Sequence, residues 1–257
     1  MRFVIRPRRT MAVCAALMLA STAAGCAGSG ARPGEGSGGI TVFAASSLTD
    51  VVETFDAAYD GGGRLRVNVG SSSQLVAQIQ SGAKADVVIT ADNEALEPVR
   101  PELARETVLA ANQLVLALAP GNPAGVAVLR DVTADGIRTA LCAPAVPCGR
   151  AADHVLETAD LHLAEPSLED SVRSVLTKVS SGQADAGFVY RTDALAAADA
   201  GVTYLALPEA PPNPYPAALT SVGAGNDAAA AFYEWLRGPE AAAILEEAGF
   251  VPAGDGA

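Results

Sequence analysis

The chain has 257 residues, enough for one large domain or two modest lobes with cores of their own. Half of the residues are hydrophobic, 18% are charged and the formal net charge is −12. That is the composition of a soluble globular protein, and its acidic balance argues against nucleic acid and anionic lipid headgroups as partners.

The first 25 residues read as an export signal. Arg2, Arg6, Arg8 and Arg9 give a positive start, and Met11 to Ala20 is an apolar run too short to span a bilayer comfortably. Ala23-Ala24-Gly25-Cys26 resembles a bacterial lipobox, in which cleavage leaves Cys26 as a lipidated first residue at the extracytoplasmic face of the membrane. An ordinary cleaved signal is the plainer alternative, and the flanks of Arg8-Arg9 fit a twin-arginine signal poorly. Losing this leader removes four arginines and no acidic residue, which takes the formal charge from −12 to −16. Residues 26–39 are rich in Gly and Ser without apolar periodicity and read as a flexible tether with a mean reach of roughly 20 Å.

Strand-like runs then alternate with helical patterns: 40–45, 65–69, 86–90, 113–119, 138–143, 186–190, 203–207 and 216–220. The alternation predicts an α/β fold with largely parallel sheets. The first strand ends in Ser46-Ser47 and opens a helix from Leu48 to about Tyr59, where Ser47 and Asp50 have the spacing of a capping box. The second ends in Gly70 and Ser71-Ser72-Ser73, opening a helix to Gln80 that stops at Gly82. Ser71 with Gln74 offers the same kind of start, and Ser73 is expected to act mainly as a cap. A helix start presents unpaired N–H groups and partial positive charge, and serine adds a hydroxyl donor. Each cluster alone reads as capping; two of them at strand ends read as an anion site.

Cys142 and Cys148 lie close together in the sequence, and in an exported protein a disulfide is the natural reading. The histidines, His154 and His162, match no zinc pattern, so no metal cation site is expected. Asp170-Ser171-Val172-Arg173 opens a third helix, and Asp185 to Tyr190 is a strand ending in a tyrosine. Asn213 to Pro216 is a turn before a late strand. Helices over 227–237 and 239–248 close the chain, with Phe232, Trp235 and Leu236 expected in the core.

These stretches resemble the molybdate-binding proteins that feed ABC importers. The resemblance is carried by ITVFAASSLTDVVETF (40–55), VGSSSQLVAQIQSGAKADVVITAD (69–92), VPCG (146–149), SVR (171–173), GQADAGFVYRTDA (182–194) and FYEWLRGPEAAAILEEAGF (232–250), in the family's order. It implies a two-lobed type II periplasmic-binding-protein fold with a ligand cleft between the lobes, one from 40–119 plus 220–257 and the other from 120–219. It further implies that a tetrahedral oxyanion is held by neutral donors: the hydroxyl and N–H of Ser47 and of Ser72, the N–H of Cys148 and of Val172, and the hydroxyl of Tyr190. Cys148 stands where the family often has alanine, a change that a backbone donor tolerates. Ser46 also replaces a common alanine, which leaves room for a supplementary part.

The function so implied is a monomeric extracytoplasmic binding lipoprotein that captures molybdate or tungstate and delivers it to a membrane permease. It needs no cofactor and is not an enzyme. Sulfate, thiosulfate or another small oxyanion is the alternative ligand. A serine hydrolase would need a base, and no Gly-x-Ser-x-Gly elbow is present; a redox role is disfavoured because the cysteines are not spaced Cys-x-x-Cys.

Overall fold

The computed structural model describes residues 39–253. The leader, the lipidation site Cys26 and the tether up to residue 38 lie outside the described residues. In chain order the elements are β1 (Ile40–Ala45), α1 (Thr49–Ala58), β2 (Leu65–Gly70), α2 (Ser72–Gln80), β3 (Val87–Ile89), β4 (Leu103–Asn112), β5 (Leu114–Leu118), β6 (Thr139–Cys142), α3 (Pro147–Thr158), β7 (Ser167–Glu169), α4 (Val172–Ser180), β8 (Ala186–Tyr190), α5 (Arg191–Ala196), β9 (Thr203–Ala206), β10 (Asn213–Thr220), α6 (Asp227–Leu236), α7 (Pro239–Glu247) and β11 (Val251–Pro252). Among the described residues no helix is long and apolar enough to cross a membrane.

Two sheets with flanking helices make two lobes. The first sheet has the order β11-β4-β10-β3-β1-β2 and the second β7-β6-β8-β5-β9. Side-chain alternation fills both faces of the first: Val42, Ala44, Val87, Ile89, Ala217 and Leu219 join the main core, while Phe43, Val88 and Ala218 join a smaller one with Leu75, Val76 and Ile79 of α2. Phe232 and Leu236 are buried as expected, and Trp235 meets Phe55 edge-on with ring centroids 5.3 Å apart.

The sheets are mixed, not largely parallel. Only β2-β1-β3 and β7-β6-β8 run parallel; β10, β11 and β5 pair antiparallel with their neighbours. The parallel rule holds where a helix joins successive strands, and no helix joins β4 to β5 or β9 to β10. These are also the passages between the lobes. The chain crosses at Gln113 and returns between Ala206 and Asn213, so β5 belongs to the second sheet and β10 to the first. The sequence expectation set the passages later, near 119 and 220. β5 is apolar and buried along its whole length, as a strand held between β8 and β9 must be. β4 escaped the sequence pattern because its first half, LARE, is largely exposed and without clean alternation.

Candidate functional site

Parallel pairing places the helix starts. Ala45 at the end of β1 lies in register with Gly70 at the end of β2, so the turn at Ser46–Leu48 and the start of α2 emerge side by side. In the second lobe Cys142 at the end of β6 lies in register with Glu169 of β7. Those strands lead to the starts of α3 and α4, and β8 ends on Tyr190 itself. All of these ends meet at the crevice beyond the carboxyl ends of parallel strands, where open α/β sheets hold ligands.

There a small pocket is lined by Ala45, Ser46 and Ser47, by Ser71, Ser72 and Ala91, and by Val146, Pro147, Cys148, Val172 and Tyr190. The structure therefore brings Ser47, Ser72, Cys148, Val172 and Tyr190 together from two lobes around one space. Every lining residue is buried, and hydrogen bonds and ion pairs join the two lobes around the pocket. No lysine or arginine is among the lining residues.

The hydroxyls are held individually. Ser47 is no helix cap: its Oγ lies 2.7 Å from the Tyr215 hydroxyl, and Thr49 satisfies the turn by donating to the Ser46 carbonyl at 2.6 Å. Ser71 is the cap of α2, accepting from the Gln74 N–H. That frees Ser72, whose Oγ accepts from the Ala91 N–H at 3.0 Å. Ser73, expected as a cap, instead donates across the cleft to the Ala145 carbonyl at 2.8 Å. Cys148 and Val172 sit in the first turns of α3 and α4, whose N–H groups helix geometry leaves without intrahelical partners. Burial pushes the Tyr190 and Tyr215 hydroxyls well above the usual tyrosine range, with Asp92 adding to the effect at Tyr190, so both are neutral phenols with a proton to donate.

Positive charge is present nearby but turned away. Arg150 on α3 is paired with Asp92 of the first lobe at 2.6 Å. Arg173 on α4 reaches Asp50 of α1 at 2.5 Å and the Ser46 carbonyl at 3.2 Å. With Gln74 donating to Asp170, these contacts fasten the lobes to each other around the cavity. Behind Arg173 lies Asp193, fully buried and pushed up to about 7, chiefly by desolvation.

The Cys142–Cys148 disulfide is present, with Cα atoms 5.6 Å apart. It ties the end of β6 to the first turn of α3. Gly149 tightens the same turn, since a Cβ there would stand 2.1 Å from the Ala143 carbonyl oxygen. His154 and His162 are exposed and neither lines the cavity. Among the described residues no cluster of His, Cys, Asp and Glu is arranged to hold a metal ion. A larger depression opens at the outer end of the second lobe, between Val132–Thr139 and Leu163–Ser167. Its cationic groups Arg138 and Lys178 are paired with Asp185 and Glu169, and Asp135 and Glu165 also line it, so it is not built for an anion. Sequence reasoning missed Ala91, Tyr215 and Asn213. Ala91 lies two residues beyond the third parallel strand, at the same end of the sheet as Ser46 after the first, which was a readable signal; the Asn-Pro-Tyr-Pro segment reads only as a turn.

Comparison with known proteins places the chain in a family. The family described as bacterial extracellular solute-binding protein matches residues 40–251. The Molybdate-binding protein ModA of Mycobacterium tuberculosis is 39% identical over 193 residues, covering 72% of each chain. The protein of that name from Escherichia coli is 34% identical over 236 residues, covering 83% of this chain and 89% of its own. Among solved structures, the periplasmic molybdate-binding protein of Azotobacter vinelandii superposes with a TM-score of 0.71 at 25% identity, covering 84% of this chain and 100% of that one.

Proposed function

Because this chain belongs to the bacterial extracellular solute-binding proteins, and is therefore a carrier rather than an enzyme, we propose that it captures molybdate or tungstate outside the cytoplasm and hands it to an ABC permease. The observation that supports this reading best is the cation-free cavity where Ser47, Ser72 and Tyr190 hydroxyls meet the first turns of α3 and α4. A doubly charged oxyanion stripped of water needs many hydrogen bonds, and bonds to a charged acceptor are roughly twice as strong as neutral ones. Ser47, Ser72, Cys148, Val172 and Tyr190 supply them in this proposal, while the disulfide holds the Cys148 N–H in place. Ligand binding then favours the closed arrangement in which Arg150, Arg173 and Ser73 bridge the lobes. The lipobox at Cys26 supports membrane anchoring through a lipidated N-terminus, with the folded part acting as a monomer.

A thermal-shift screen of the mature protein against molybdate, tungstate, sulfate, thiosulfate and phosphate tests the reading. A ligand at a hundredfold excess over its Kd adds about 2.7 kcal/mol to stability. Molybdate and tungstate should raise the melting temperature most. A larger response to sulfate would reassign the ligand, and no response to any oxyanion would remove the function.

A further inference from the structure

Backbone N–H groups can only donate, but a hydroxyl can donate or accept, so three of the proposed ligand groups are ambivalent unless something fixes their protons. The structure holds a fixed N–H donor behind Ser72 and Tyr190 and a buried phenol behind Ser47. Ser72 Oγ receives the Ala91 N–H at 3.0 Å. Tyr190 Oη receives the Asn213 carboxamide nitrogen at 3.2 Å. The orientation of that amide is set, because the same nitrogen also contacts the Ala91 carbonyl oxygen, which can only accept. Tyr215 is completely buried and lies outside the cavity wall. Ser47 Oγ lies 2.7 Å from its phenol, a bond in which either hydroxyl can donate. Donating to Ser47 gives the buried Tyr215 proton a partner at 2.7 Å; Tyr190 and Asn112 are the other polar groups beside the phenol.

We propose that Tyr215 and Asn213 are positioning residues that commit the protons of Ser47 and Tyr190 to the cavity, so that these two ligand groups act as donors alone and disfavour any oxyanion that itself carries a proton. The inference rests on the oxyanion-binding reading above and adds to it the device that sets specificity. A molybdate, tungstate or sulfate dianion only accepts hydrogen bonds. A monohydrogen phosphate or arsenate must also donate one, and Ser47, Ser72, Cys148, Val172 and Tyr190 with their protons so committed offer it no acceptor. Removing the Tyr215 hydroxyl frees the Ser47 rotor, so Ser47 Oγ can take that proton. Removing the Asn213 amide does the same for Tyr190. The packing of the ring is a separate matter: Tyr215 lies edge-on to Phe250 at 5.0 Å and to Tyr190 at 5.7 Å, contacts that phenylalanine retains.

The test is calorimetric titration of the wild type, Tyr215→Phe and Asn213→Ala with molybdate and with phosphate at mildly alkaline pH, using phosphate competition where direct heats are small. In each variant the ratio of molybdate to phosphate affinity should fall about tenfold, with molybdate itself weakened. A loss of packing alone would weaken both anions in proportion and leave the ratio unchanged; that result in the folded variants overturns the inference while leaving the function standing. If Tyr215→Phe fails to fold, the ratio in Asn213→Ala decides. A wild type that binds no oxyanion overturns the functional reading and this inference with it.

Discussion

Ser72 lines the cavity, whereas Ser73 spans the cleft to Ala145, so their alanine variants should fail differently. Ser72→Ala should weaken molybdate binding by roughly 1.5–3 kcal/mol, the range for a hydrogen bond to a charged group. It should also cost some stability, because the Ala91 N–H loses its acceptor. Ser73→Ala removes one bond between the lobes and should weaken binding by less than about 1 kcal/mol. Isothermal titration of both variants checks this, and equal losses would remove the donor role from Ser72. Asp193 sets a second expectation. Its folded carboxyl is pushed up to about 7 by desolvation, against the pull of Arg173 and of the Tyr190 N–H, whereas an unfolded aspartate titrates at about 3.9. Between these values the folded state keeps a proton that the unfolded chain has lost. The contribution to stability is therefore full below about 4 and is lost as the pH rises through about 7. Urea unfolding across this window should show wild type losing stability relative to Asp193→Asn, and a constant difference would mean that burial does not hold the proton.

At the scale of elements, the strand-to-helix switches were legible in the sequence. Apolar runs ending in serines, in Asp170–Arg173 and in Tyr190 announced β1, β2, α2, α4 and β8, and the described strands and helices fall at or within a few residues of those places. The direction of each hydroxyl was not legible. Which of Ser71, Ser72 and Ser73 caps α2 depends on how the α2 start meets Ala91 and Ala145, residues distant in the chain. The lobe passages were hidden for a related reason: a single residue, Gln113, separates β4 from β5, and continuous strand-like sequence does not reveal that the partner sheet changes. The disulfide was legible from compartment and spacing. It closes a short loop, so its removal in Cys142→Ala/Cys148→Ala should cost about 2 kcal/mol by the loop-entropy account. Because the loop carries the Cys148 N–H into the cavity, molybdate affinity should fall as well, in titrations at a temperature where the variant remains folded. Unchanged affinity would show that Pro147 and Gly149 suffice to hold the turn.

The molecule as a whole closes on its ligand space with charge pairs at the rim and none inside. Arg150 with Asp92 and Arg173 with Asp50 join the lobes, yet no cation lines the cavity. The full sequence carries a net charge of −12. An incoming dianion therefore meets repulsion during its approach and is held only after it has arrived, by groups too short-ranged to attract it from solution. Mobile ions shorten the range of such repulsion to about 10 Å at 0.1 M ionic strength. Capture of molybdate should accordingly become faster as sodium chloride is added, the reverse of what a receptor lined with arginine would show. Stopped-flow mixing, followed through the fluorescence of Trp235, reads this directly; a capture rate that falls with salt would mean that the ion is drawn in by positive charge at the mouth of the cleft.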